Sequence, residues 1–310
     1  MCPSFRVTRK EQDLTRGRAN TLRLAISGQL GPDALTSDEM AQTMKLCVSC
    51  KGCKRECPTG VDMARMKIEV QAAIVRKNGL KLQDRLTAFL PRYAPMAARM
   101  PFLANLRNTV PGLAKLTERL TGFSATRKLP TWAARPFKDS EASEGESPQA
   151  VVFADCFNRY FEPENLRATL KVMEAADVPV HLAKAPKGER PLCCGRTFLS
   201  AGLIDEAKVE AQRLVDALMP YVEQGLPIIG LEPSCLLTLR DEIPALLPGE
   251  DTSKLAAKAR MLEEYIADQE ANPDFHLPLT SPAPKVLLHG HCHQKAMGIM
   301  SSIEKTLALL

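Results

Sequence analysis

The sequence predicts two bodies of different class: an all-helical N-terminal one, and an α/β one built on a mostly parallel sheet. Three observations predict them. Helical apolar spacing dominates residues 1–79, strand and helix patterns alternate from residue 150, and the charge changes sign between the two. Residues 1–138 hold 25 Lys and Arg against 10 Asp and Glu, a net +15, whereas residues 139–310 hold 16 against 26, a net −10. A change of that size at one place marks two bodies with different partners. The 310 residues suffice for about two domains, and 45% apolar residues support buried cores. No run approaches about 18–20 apolar residues, so no membrane-spanning helix is expected. The start, Met1-Cys2-Pro3-Ser4, has no basic segment leading into an apolar one. Ten cysteines without an export signal point to a reducing, cytoplasmic compartment and to metal or redox chemistry.

In the helical body, Thr15 to Leu30 carries Leu22, Ala25, Ile26 and Leu30 near helical spacing. Thr36-Ser37-Asp38-Glu39 reads as a capping box with Thr36 as N-cap. The helix it opens is expected to run into a four-cysteine loop, Cys47 to Cys57. Asp62 then caps a helix with Met66, Val70, Ala73 and Ile74 on one face, stopped at Asn78-Gly79. Residues 80–138 are broken by six prolines and carry 11 Lys and Arg against 2 Asp and Glu, a basic connector of short helices. Residues 139–149, DSEASEGESPQ, have the composition of a linker.

From residue 150 the expected order is strand 150–154, helix 163–177, strand 178–182, helix 204–223 and strand 227–231. Helix 252–271, a strand led by 285–288 and helix 294–310 follow. Such alternation predicts a parallel sheet. A weak internal repeat aligns Val151-Val152-Phe153-Ala154-Asp155-Cys156 on Leu287-Leu288-His289-Gly290-His291-Cys292. Both place a cysteine after a strand, at the carboxyl edge where α/β sheets bind ligands.

Cys47-x2-Cys50-x2-Cys53-x3-Cys57-Pro58 has the bacterial ferredoxin spacing for a [4Fe–4S] cluster. Zinc sites come instead as two CxxC pairs separated by a longer insert. Lys51, Lys54 and Arg55 lie among the ligands and would offset a cluster's negative charge. In two-cluster proteins the cysteine before proline serves the other cluster. Cys2-Pro3 reads as the end of an earlier run, so Cys2 would complete the cluster of Cys47, Cys50 and Cys53, leaving Cys57 for a second, incomplete one. The alternative is that Cys2 is an incidental thiol. The second group is Cys156, Cys193-Cys194-Gly195 and Cys235, joined by Cys292; all five are expected to converge at one sheet edge.

Pro191-Leu192-Cys193-Cys194-Gly195 resembles the cysteine-rich CCG domain of heterodisulfide reductase. It also resembles the iron–sulfur subunits of glycolate oxidase and anaerobic glycerol-3-phosphate dehydrogenase. Cys2-Pro3-Ser4-Phe5, Thr15-Arg16-Gly17-Arg18-Ala19, Cys47 to Lys54, Gly230 to Cys235 and His289 to Lys295 look like the C-terminal half of fused FAD-linked, iron–sulfur D-2-hydroxyacid dehydrogenases. The resemblance spans essentially the whole chain. It implies a ferredoxin-like [4Fe–4S] domain at 1–79, the connector and linker, and a CCG domain at 150–310 with an iron–sulfur cluster of its own. It also implies an FAD domain or subunit elsewhere that oxidises D-lactate, glycolate or D-2-hydroxyglutarate and passes electrons toward a quinone or other acceptor. The chain departs from the pattern in lacking the flavin domain and the first three cysteines of the first run. Thr238 stands where a closing CxxC would place its second cysteine, and Leu310 precedes any second CCG, so the chain reads as a fragment or one part of a split protein.

Other residues admit two readings each. His289, His291 and His293 alternate and could bind zinc or play structural roles. Cys193-Cys194 could exchange disulfides, making the chain a disulfide or quinone reductase in its own right. Asp155 and Glu232 could orient ligands or cap helices. The connector could lie on the inner face of an anionic membrane or be a solvated spacer. A zinc-stapled interaction module is the remaining rival. No groove-reading helix or aromatic ladder accompanies the basic half, so nucleic acid is not an expected partner. No catalytic residue is identifiable.

Overall fold

The computed structural model describes residues 2–143, 145, 147–280 and 285–309. The helices begin with α1 (Pro3–Thr8), α2 (Thr15–Ile26), α3 (Asp38–Lys45), α4 (Gly52–Glu56) and α5 (Met63–Asn78). Four short ones follow: α6 (Leu82–Ala88), α7 (Leu90–Ala97), α8 (Pro101–Thr109) and α9 (Leu113–Thr121). Next come β1 (Ala150–Val152), α10 (Cys156–Tyr160), α11 (Pro163–Ala175), β2 (Val180–Leu182), α12 (Arg196–Ser200), α13 (Ile204–Glu223) and β3 (Ile228–Gly230). The chain continues through α14 (Pro233–Arg240), α15 (Glu242–Leu246), α16 (Glu250–Lys258), β4 (Ala259–Met261), α17 (Leu262–Asp268), α18 (Cys292–Met297) and α19 (Met300–Ala308).

One compact unit is made of Met1–Ala88, Phe198–Ile204 and Leu288–Met300. Ser37, not Thr36, caps α3: its Oγ accepts from Met40 N at 3.2 Å, while Thr36 lies in a 3-10 turn and its hydroxyl donates to Asp33 O. Asp62 caps α5 as expected, its Oδ1 accepting from Arg65 N at 3.1 Å. Leu22, Ala25, Met40, Met44, Met63 and Val70 pack into one core with Cys47. Gly17 lets α2 lie on the turn Glu11–Asp13, since a Cβ there would stand 2.1 Å from Glu11 O. Gly17→Ala is therefore expected to cost about 1–3 kcal/mol through forced backbone displacement. A chemical-denaturation midpoint equal to wild type would contradict that close approach.

The second unit is Phe89–Thr197, Asp205–Leu287 and Ser301–Leu310. Its four strands are parallel in the order β2-β1-β3-β4. Ala150, Val151 and Val152 are all buried, as strands covered on both faces require. The connector is structured: Asn105 and Asn108 of α8 bond both ways to the backbone of Trp132 and Leu129, at 2.8–3.1 Å. Arg107 donates to the carbonyls of Phe123, Ser124 and Arg127.

Two expectations fail. Residues 285–290 form no strand, and Val286 and Leu287 are exposed. The fourth strand is instead Ala259–Met261, inside the segment expected to be one helix over 252–271. Its Ala259 and Met261 pair beside Ile228 and Gly230 of β3, filling the sheet position that 285–288 was expected to take.

Candidate metal centres

In the first unit a cavity of about 710 Å³ is lined by Cys2, Cys47, Cys50, Cys53, Cys57 and Cys292. The loop between α3 and α4 carries Ser49 and Lys51 in the left-handed region, φ +53° and +59°. Non-glycine residues hold such angles only at a cost of about 1–3 kcal/mol each, and the reversals turn backbone N–H groups inward as an anion-binding nest. Lys51 is 3% exposed, so a cation is buried within the cysteine run. Lys67 Nζ fixes the loop's start, donating to Cys47 O at 2.6 Å.

Cys2 is brought to the cavity by Arg18, which is fully buried. Arg18 Nη1 donates to Cys2 Sγ at 3.3 Å, Nη2 to Ser4 Oγ at 2.9 Å and Nε to Thr43 O at 2.9 Å. Burial works against the Cys2 thiolate, but the hydrogen bonds of Ser4 and Arg18 outweigh it and lower its pKa. Cys50 and Cys53 are raised, chiefly by burial. Cys57 is lowered: its sulfur is bonded to Thr59 Oγ1 at 3.1 Å and to the backbone of the turn through Val61.

Cys292 does not join the second cysteine group. It begins α18, which packs on α4 within the first unit, and it heads the charged neighbours of Cys50. His293 Nε2 bonds Ser49 O at 3.0 Å, and Arg55 bonds Lys295 O, clasping this segment to the cysteine loop. His291 caps α18, its Nδ1 accepting from His293 N at 3.2 Å, and His289 is exposed, so the three histidines do not share a face. Separation in sequence hid the His293–Ser49 contact; only the odd alternation of histidines signalled the segment.

In the second unit the three strand ends do gather cysteines. Cys156 opens α10 after β1, Cys235 lies in α14 after β3, and Cys193-Cys194 sit on the loop after β2. Because the chain leaves β1 toward opposite sides of the sheet, the edge between β1 and β3 is a switch point, where α/β sheets form crevices. The thiols are hydrogen-bonded in a row, Cys156 to Cys193, Cys193 to Cys194 and Cys194 to Cys235. Cys193, Cys194 and Cys235 are 2%, 3% and 8% exposed. Their mutual hydrogen bonds and burial push all three pKa values well up. Cys156 is raised too: the hydrogen bond from Cys193 favours its thiolate, but burial and the neighbouring Cys235, Cys194 and Asp155 prevail. Disulfide exchange needs an exposed, acidic thiol, which Cys193 and Cys194 are not.

Asp155 and Glu232 are helix caps. Asp155 accepts from Phe157 N and Asn158 N at 2.9 and 3.1 Å, and burial lifts its pKa to about 6. Glu232 accepts from Ser234 N at 3.0 Å. Thr238, one turn beyond Cys235, is buried with its hydroxyl donating to Ser234 O at 2.7 Å, so this position offers no metal ligand. Gly195 (φ +77°) packs on α13, where a Cβ would come within 3.1 Å of Ala207 O. The close approach it permits is to that helix, not to the thiols.

Zinc would draw four ligands to about 2.3 Å from one ion. Among the described residues no three His, Cys, Asp or Glu side chains are gathered so tightly. Soft thiolate donors, with buried cations and inward N–H groups in the first unit, fit an iron–sulfur cluster, whose sulfurs bind separate iron atoms.

The family model described as 4Fe-4S dicluster domain matches residues 1–61, and that described as Cysteine-rich domain matches residues 150–240. D-2-hydroxyglutarate dehydrogenase of Escherichia coli (strain K12) is 22% identical over 344 aligned positions, 94% of this chain and 32% of that protein. The Pseudomonas putida protein of the same name is 23% identical over 95% of this chain and 32% of its own. One subunit of the anaerobic glycerol-3-phosphate dehydrogenase of E. coli K12 is 25% identical over 77% of this chain and 58% of its own. The chain thus spans about a third of the first two and somewhat over half of the third. No solved structure matches it. The chain carries a 4Fe-4S dicluster domain followed by a cysteine-rich CCG domain, homologous to the iron–sulfur parts of D-2-hydroxyglutarate dehydrogenase and of anaerobic glycerol-3-phosphate dehydrogenase.

Proposed function

We propose that the chain is an iron–sulfur electron-transfer module serving an FAD-containing dehydrogenase domain or subunit that oxidises a 2-hydroxy acid such as D-lactate, glycolate or D-2-hydroxyglutarate. The observation that carries this reading is the meeting of Cys2, held by Arg18, with Cys47, Cys50 and Cys53 in one cavity. In this reading those four hold a [4Fe–4S] cluster, and Cys57 serves a second cluster of the same domain, incomplete in this chain. Cys156, Cys193, Cys194 and Cys235 hold a further iron–sulfur cluster. Bound clusters supply one-electron transfer. The chain's own residues set the conditions: Arg18 and Lys51 offset thiolate charge, and the apolar surroundings of Cys193 and Cys194 keep water from the second site. The anaerobically purified chain is expected to contain iron and sulfide and to show a reduced-state EPR signal that Cys2→Ala alters. Stoichiometric zinc without iron would end this reading, and an unchanged cluster in Cys2→Ala would remove Cys2 from it.

Among the described residues no helix is long and apolar enough to cross a membrane. Docking on the inner face of an anionic membrane, where a quinone would accept the electrons, is favoured by one observation. Helices α8 and α9 bury none of their residues, and Phe102, Leu103, Leu116 and Leu120 stand exposed among Lys115 and Arg119. The chain is expected to co-sediment with anionic vesicles at low salt and to be released as the Debye length shrinks to about 8 Å at physiological salt. Recovery entirely in the supernatant at low salt would count against it.

A further inference from the structure

The second unit holds a cavity of about 1090 Å³ that no cysteine lines. Five cationic side chains line it against three carboxylates. Two of the cations are satisfied internally: Arg159 Nη1 meets Asp139 Oδ1 at 2.5 Å, and Arg167 meets Glu141 and Glu164 at 2.7 and 2.6 Å. Arg99 and Arg135 have no ion pair among the described residues, and Lys138 has the already paired Glu141 beside it. Arg159 is 5% exposed, and its Nε has no hydrogen-bond partner among the described residues. A buried, unanswered N–H on a guanidinium costs about 1–3 kcal/mol, which an acceptor entering the cavity would recover.

We propose that this cavity binds a small organic dicarboxylate, gripped by Arg99 and Arg135 and reached from below by Arg159. Guanidinium forks match the planar carboxylate, and Arg99 and Arg135, from different segments of the chain, suit two separated negative groups. The volume is that of a small-molecule site, about 300–1,000 Å³, with room for water. The location gives the site its interest. Tyr160 and Pro191 form part of its wall; Cys156 and Cys193 are among the groups that act on Tyr160, and Pro191 precedes Cys193 by two residues. An occupant would therefore stand beside the second thiol group, as substrate of that centre or as its effector. The binding claim holds whatever metal the thiols carry.

Calorimetry on the full chain at low salt tests it, with succinate, its neutral diamide succinamide, and inorganic phosphate as probes. Succinate is expected to bind at one site per chain, succinamide not at all, and phosphate about tenfold more weakly or worse. Arg99→Gln and Arg135→Gln, both at exposed positions, should each weaken succinate about tenfold or more, the worth of one charge-assisted contact. The melting temperature of each variant serves as the folding control. The proposal is overturned by absence of succinate binding to the wild type, or by succinate affinity within twofold of wild type in the folded double variant. Phosphate binding as tight as succinate would overturn the dicarboxylate assignment.

Discussion

Arg18→Leu is expected to strip the first unit of its cluster and to destabilise that unit by about 3–5 kcal/mol, the cost of breaking a buried charge pair from one side. Arg18 and Asp13 are 0% and 2% exposed, with Nη2 3.8 Å from Oδ1. Without the guanidinium, the Asp13 carboxylate stays buried with no countercharge. The same deletion frees Cys2, Ser4 and Thr43 O at once, because all three are held by this one side chain. Two measurements read the two losses separately: the denaturant midpoint reports the core, and anaerobic iron content reports the cluster. Wild-type values in both would refute the role given to Arg18.

Glu210→Ala should have an effect of similar size, about 3–5 kcal/mol, in the second unit. Glu210 is fully buried on α13, yet Arg190 meets it with both Nη atoms, Arg213 meets it at 3.0 Å, and Arg92 Nε lies 3.7 Å away. Removing the carboxylate leaves three guanidinium groups around an empty position. Arg190 stands just before Pro191-Leu192-Cys193, and Gly195 packs on the same turn of α13, so the loop carrying two thiols loses its anchor. Iron bound by the second unit should fall while the first unit keeps its own. Glu210→Gln, which keeps the shape and some hydrogen bonds, is expected to lie between. An alanine variant within about 0.5 kcal/mol of wild type, the ordinary range of surface substitutions, would contradict this account.

Local chemistry made much of this fold legible. Asp62 caps its helix because a short acidic side chain before an apolar run has few better uses, and the strands at 150, 180 and 228 are continuous apolar runs that only a doubly covered sheet accommodates. The cysteine spacing needed no structure at all. What stayed hidden depended on competition between segments. Thr36 and Ser37 are equally good caps in isolation, and the 3-10 turn that takes Thr36 decides between them. Ala259-Arg260-Met261 is too short to interrupt a helical period, yet β3 offers it a pairing edge. The repeat relating Cys156 to Cys292 is real as letters, but only the first copy leads from a strand. Arg18, Glu210 and Arg159 could not be singled out, because nothing in a sequence marks which charged residues are buried.

The discontinuity of the first unit bears on the birth of the protein. The loop from Cys47 to Cys57 leaves the ribosome early, but the segment that clasps it, with His293 on Ser49, is made only near residue 300. At bacterial elongation rates of about 5–20 residues per second, that interval lasts on the order of ten seconds or more. During it the nascent chain presents uncapped thiols to oxidants and stray metals. Cluster delivery to this site must either protect those sulfurs co-translationally or wait until synthesis is nearly complete.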